Sequence, residues 1–133
     1  MTGGRRVLVV DDDPDMLVLC RMQLTHWEFE VVTASTGTEA LVAIAEHRPD
    51  VVVLDFSLPD MDGPEVMGAI REDLGIEVPV VMLTARTQSE DQELASQLGA
   101  VDYVVKPYEE SRLVEAVERA LVPCDGTPLT EAK

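Results

Sequence analysis

Basic charge is scarce in this chain. Ten Lys and Arg stand against 26 Asp and Glu, for a net charge of −16 over 133 residues. Nucleic acid and anionic membrane surfaces are bound through Lys and Arg, so this field repels both. Much of the excess acid is a solvated surface. Lysine is scarcer still: Lys106 and Lys133 are its only occurrences, and all other basic charge is arginine. Cysteine is limited to Cys20 and Cys124, with no disulfide-type or metal-type spacing. Cys20 lies at helical spacing with Leu17 and Leu24, which reads as core. No apolar run approaches the length of a membrane span, and Met1-Thr2-Gly3-Gly4 carries no signal-peptide pattern. The expected location is the cytoplasm. Neither lysine follows a glycine-rich phosphate loop, which excludes a P-loop NTPase.

What is present is an ordinary folded-domain composition, 46% apolar and 27% charged, in a length suited to one domain with a real core. Four short apolar runs stand out. Val7–Val10 runs into Asp11-Asp12, Val51–Leu54 into Asp55, Val80–Leu83 into Thr84, and Tyr103–Val105 into Lys106-Pro107. Short β-branched runs of this kind read as parallel strands buried on both faces.

The periodicity places strands at about 6–10, 29–33, up to 54, 78–83 and 101–105. Helices are predicted at about 14–25, 36–47, 63–74, 88–98 and 109–121. Asp13-Pro14 opens the first as an N-cap followed by proline, and Gly99 closes the fourth as a left-handed cap. Leu113, Val114, Val117 and Leu121 share one face of the fifth. Five βα units with short links imply an α/β domain with a doubly wound five-stranded parallel sheet and five helices. Right-handed crossovers favour the flavodoxin-like order 2-1-3-4-5. The domain is expected over residues 1–121, with 122–133 as a flexible tail or linker.

Ligands in such sheets bind at the carboxyl ends of the strands. Asp11, Asp12, Asp55, Thr84 and Lys106 should therefore converge on one edge. Two like charges about 4 Å apart repel by about 1 kcal/mol in water and about 4 kcal/mol at an effective dielectric of about 20. A cluster of three carboxylates is not kept for stability. The natural compensation is Mg²⁺, a hard cation that takes one or two carboxylates plus a phosphate oxygen. Phosphoryl transfer to a carboxylate suits the set, with Asp55 as nucleophile, because Mg²⁺, the Lys106 ammonium and the Thr84 hydroxyl can each face one equatorial oxygen.

The chain resembles the receiver domain of two-component response regulators. The resemblance rests on Val9-Val10-Asp11-Asp12, Leu54-Asp55 with Pro59-Asp60-Met61-Asp62-Gly63, Leu83-Thr84-Ala85, and Gly99-Ala100 leading to Lys106-Pro107. It covers roughly residues 5–121, and the four motifs match in order and spacing. It implies a signalling switch rather than a turnover enzyme, in which Asp55 takes a phosphoryl group from a sensor histidine kinase or phosphotransfer protein. It implies Mg²⁺ held by Asp12, Asp55 and the Ser57 backbone carbonyl, with Asp11 acting mostly through water. It implies that Thr84 moves toward the phosphate and Tyr103 turns inward, reshaping the face of helix 4, strand 5 and helix 5. It also implies a cis Lys106-Pro107 bond, a downstream effector or output domain, and a phosphorylation-dependent homodimer among the possible states. Ser57 and Arg86 depart from common family choices and border the path of the hydrolysing water. A small Ser57 would leave that path open and a long Arg86 would cover it, so the two point in opposite directions for phosphate lifetime. His26 and Trp27 fill a turn where glycine often follows helix 1.

The same positions admit other readings. Asp13 and Asp15 read as cap and dipole partners of helix 1, and His47 complements the dipole at a helix end. An EF-hand reading of Asp11, Asp13 and Asp15 fails, because Met16 replaces the glycine and Met22 the glutamate. Asp60 and Asp62 read as turn and cap residues. Tyr103 as plain core and Thr84 as a local backbone partner are the ordinary alternatives. A Mg²⁺-dependent phosphatase of the haloacid dehalogenase type is the alternative function. It would need Asp-x-Asp-x-Thr or Val after strand 1, where Asp15 holds the last place, and a cap domain that does not fit. A third reading is a piece of a larger regulator or hybrid kinase. No recognition helix or basic patch lies in the chain to read DNA.

Overall fold

The structure, a computed structural model, describes residues 5–122. The expected tail, apart from Val122, lies outside the described residues, as do Met1–Gly4, Cys124 and Lys133. Five βα units follow one another: β1 (Arg6–Val10), α1 (Pro14–His26), β2 (Glu30–Ala34), α2 (Gly37–His47), β3 (Val51–Leu54), α3 (Gly63–Glu72), β4 (Val80–Thr84), α4 (Ser89–Gln97), β5 (Asp102–Val105) and α5 (Glu110–Leu121). All strands are parallel, in the order β2-β1-β3-β4-β5. This is the doubly wound architecture expected from the alternation.

Successive strand residues point to opposite faces of the sheet, and each face has its own core. Val7, Val9, Val51, Val53, Val81, Leu83 and Val104 face α1 and α5, where Cys20, Leu24, Leu113 and Val117 meet them. Leu8, Val10, Val52, Leu54, Val80 and Met82 face the other side, against Ile44, Val66, Met67 and Ile70. Cys20 is core, as its helical spacing indicated, and its sulfur contacts the Tyr108 hydroxyl at 3.4 Å.

One expectation needs correction. The first three apolar runs are buried on both faces, but in β5 only Val104 is. β5 is an edge strand. Tyr103 and Val105 therefore stay partly open to solvent.

Helix boundaries follow local chemistry. Asp13 caps α1, its side chain accepting from the Asp15 amide. Thr36 caps α2 and Asp62 caps α3, the latter in a reciprocal capping box with Glu65. α3 ends at Glu72, short of the expected Leu74. The Leu74 amide returns to Ala69 O and the Ile76 amide to Ile70 O, closing the helix around left-handed Gly75 (φ +65°). After α1 the left-handed position falls on Glu28 (φ 71°). Trp27 beside it donates its indole N–H to Glu110 at 3.0 Å, tying α1 to α5. No described helix is long and apolar enough to cross a membrane.

Candidate functional site

Strand register brings the acids together. Val10 pairs with Leu54, so the residues after them, Asp11 and Asp55, leave the sheet side by side, and the Asp55 amide donates to Val10 O at 3.0 Å. Asp11, Asp12 and Asp55 each present a carboxylate oxygen within 4.8 Å of the others. Asp11 and Asp55 are buried and Asp12 is exposed. This oxygen-only set beside solvent fits a hard divalent cation.

Lys106 enters from the end of β5. Its Nζ donates to Asp11 Oδ2 at 2.6 Å and to Asp55 Oδ2 at 3.3 Å, and the peptide bond to Pro107 is cis. Burial disfavours the ammonium, but the bond to Asp11 and the attraction of both carboxylates outweigh it, so its pKa lies above the ordinary 10.5. Burial pushes the Asp11 carboxyl above its ordinary value, against the opposing bonds from Lys106 and the Asp13 amide. The pocket thus holds one charged lysine against an excess of acid.

Thr84 is the last residue of β4 and is buried. Its hydroxyl accepts from the Arg86 amide at 3.3 Å, and among the described residues it makes no hydrogen bond to the three carboxylates. Ser57 lies at the rim, where its amide donates to Asp55 Oδ1 at 3.3 Å. Tyr103 is half-buried and donates its hydroxyl to the Arg86 carbonyl at 3.0 Å.

Two features were not visible in the sequence. Asp60 caps a helix other than its own: its carboxylate accepts from the Gly37 amide (2.7 Å), the Thr38 amide (2.9 Å) and the Thr38 hydroxyl (2.8 Å). Arg86 reaches across the rim to Ser57 Oγ (3.2 Å) while held by Asp91, with its guanidinium 4.7 Å from the Phe56 ring centroid. The only signal for Arg86 was its position two residues beyond Thr84.

A parallel 2-1-3-4-5 sheet with acids after β1 and β3, a hydroxyl on the last residue of β4 and a lysine after β5 defines a class. The response regulator receiver domain family model matches residues 7–118, and the chain belongs to that family. It is similar to the transcriptional regulatory protein KdpE of Mycobacterium tuberculosis, 52% identical over 102 residues that cover 77% of this chain and 44% of that protein. It is also similar to the DNA-binding response regulator MtrA of Mycolicibacterium smegmatis, 43% identical over 120 residues, or 90% of this chain and 52% of that one. The chain spans about half the length of these curated relatives. Among solved structures, the chemotaxis protein CheY4 of Vibrio cholerae superposes with a TM-score of 0.81 at 32% identity, covering 87% of this chain and 98% of that one. The BeF3-activated N-terminal receiver domain of Klebsiella pneumoniae RstA gives a TM-score of 0.82 at 29% identity, covering 89% and 99%. The chain is thus a receiver domain of two-component signalling, a class of switch rather than of turnover enzyme.

Proposed function

We propose that Asp55 is the phosphoacceptor. It takes a phosphoryl group from the phosphohistidine of a sensor kinase or phosphotransfer protein and passes the change to the face of α4, β5 and α5. The carrying observation is the placement of Asp55: at the centre of the sheet edge, 3.3 Å from the Lys106 ammonium and within 4.8 Å of two further carboxylates. A carboxylate oxygen of Asp55 attacks phosphorus, a P–O bond forms, and the P–N bond breaks as imidazole leaves.

Asp11, Asp12, Asp55 and the Ser57 carbonyl are the residues that would hold Mg²⁺. When bound, the cation neutralises the acid cluster and the charge that develops on the transferred group. Lys106 supplies a fixed positive charge on the opposite side. Thr84 supplies a hydroxyl that would turn toward the phosphoryl group and, through the Arg86 amide bonded to it, draw the β4–α4 loop inward. Tyr103, bonded to the same loop through the Arg86 carbonyl, would register that movement on β5.

The relatives' names indicate transcriptional and DNA-binding regulators, and they are about twice this chain's length. We assign this chain the receiving part, with an output domain or separate effector as its downstream partner.

Incubation with acetyl phosphate and Mg²⁺, followed by intact mass spectrometry, tests the reading. Wild type should gain one phosphate. Asp55→Asn should gain none while keeping its circular dichroism and melting transition. An Asp55→Asn protein that is phosphorylated at the wild-type rate would refute the assignment.

A further inference from the structure

Asp11, Asp12 and Asp55 follow the ends of β1 and β3, so the sheet itself places them. The fourth group assigned to Mg²⁺, the Ser57 carbonyl, belongs to the loop between β3 and α3. A loop carbonyl keeps its direction only if the loop is fixed. This loop is closed at its neck and pinned at its tip. At the neck, Ser57 forms an isolated antiparallel bridge with Asp62, and the Gly63 amide donates to the Phe56 carbonyl at 2.6 Å. At the tip, the Asp60 carboxylate accepts from the Gly37 amide (2.7 Å), the Thr38 amide (2.9 Å) and the Thr38 hydroxyl (2.8 Å), all in the first turn of α2. Met61 beside it lies against Gly37, where a Cβ would collide with the Met61 side chain. A charged clasp and a close apolar contact thus fasten the loop to α2.

We propose that Asp60 is a positioning residue for the metal: by clasping the β3–α3 loop to α2 it holds the Ser57 carbonyl beside the acid cluster and so sets the affinity for Mg²⁺. This rests on the reading of that cluster as the Mg²⁺ site. Groups that orient metal ligands without touching the metal are worth about 10–100-fold in affinity. The physical reason is preorganisation. A carbonyl fixed on folding loses no further freedom when the cation arrives.

The plain alternative is that Asp60 serves α2 alone, as a cap and a favourable charge at the helix N-terminus. α2 already has a cap of its own. Thr36 accepts from the Glu39 amide at 3.0 Å, and Glu39 reaches back to the Ser35 amide at 2.9 Å. Thr36 therefore supplies the control: it acts on the same helix end but lies outside the loop. A cap affects stability, whereas a positioning residue affects the affinity of the folded protein.

The test follows the backbone amide shifts of Asp12 and Ser57 by NMR during a MgCl₂ titration at constant ionic strength, which gives the dissociation constant of the folded protein. Asp60→Ala should weaken Mg²⁺ binding by about tenfold. Asp60→Asn, which keeps an acceptor oxygen but loses the charge, should lose less. Thr36→Ala should lower the melting temperature and leave the constant unchanged. Coupling between two sites is reciprocal, so in wild type saturating Mg²⁺ should slow hydrogen exchange at the Gly37 and Thr38 amides by about tenfold, a readout that needs no variant. Wild-type affinity in Asp60→Ala would overturn the inference, as would exchange at the two amides that ignores Mg²⁺. Equal losses in Asp60→Asn and Asp60→Ala would overturn it in favour of simple charge attraction, and an equal loss in Thr36→Ala in favour of helix stability. A wild type with no Mg²⁺-dependent shift at Asp12 or Ser57 is a different result, and it would overturn the reading of the acid cluster as well.

Discussion

The three carboxylates of the pocket are not equivalent, and the difference lies in their partners. Asp11 is buried and holds the Lys106 ammonium at 2.6 Å. Asp12 faces solvent within 4.8 Å of the other two, without that partner. Removing Asp11 would strip Lys106 of its shorter ion pair. Removing Asp12 takes away repulsion and leaves the lysine satisfied. In EDTA, Asp12→Ala should therefore melt above wild type by a few degrees, since like charges about 4 Å apart in a wet site repel by about 1 kcal/mol. Asp11→Ala should melt below Asp12→Ala. A calorimetric scan with Asp12→Ala clearly below wild type would contradict the repulsive cluster. Position at a strand end made the acids, Thr84 and Lys106 legible in the sequence. The grip on Arg86 was not, because Phe56, Ser57 and Asp91 come from separate segments and a long side chain's direction leaves no periodic trace.

At the level of elements, hydrophobic alternation and cap residues located every strand and helix, but not their outer limits or their cross-links. The α3 end, two residues short of the expected Leu74, depends on how Leu74 and Ile76 fold back. The β5 apolar run resembles the others and by itself implies full burial, whereas burial depends on its place at the edge. Asp60 was legible as a turn or cap residue, but not as a cap for α2, because its donors lie 22 and 23 residues earlier. That contact has a pH signature. Hydrogen bonds from the Gly37 amide, then from the Thr38 hydroxyl and amide, lower the Asp60 carboxyl from 3.8 to about 2. A carboxyl lowered on folding adds stability above its unfolded value, and that stability is lost as pH falls through the folded value. The stability gap between wild type and Asp60→Asn should thus be full above about pH 4 and shrink toward about pH 2. Urea titrations at stepped pH measure it. A gap that stays constant across this window would show that the charge on Asp60 does not hold α2.

For the whole molecule the governing quantity is the charge of −16. Such a chain repels itself, and simple salt should stabilise it a little by screening, whichever residue occupies any one position. Specific cation binding has a different form. A ligand that binds only the folded state stabilises by an amount that grows with the logarithm of its concentration, about 2.7 kcal/mol at about 100 times its dissociation constant. NaCl and MgCl₂ compared at equal ionic strength therefore separate the diffuse field from the pocket. Wild type should melt higher in MgCl₂ than in matched NaCl, with the excess rising over successive tenfold increases in Mg²⁺. Asp12→Ala should keep the NaCl response and lose most of the excess, even though its metal-free form starts out more stable. Arg86→Ala, which removes a cation beside Ser57 but none of the acids, should keep both. If wild type gave superimposable curves in the two salts, the acid cluster would be only part of the general surface charge, and the metal-dependent chemistry assigned to Asp55 would lose its support.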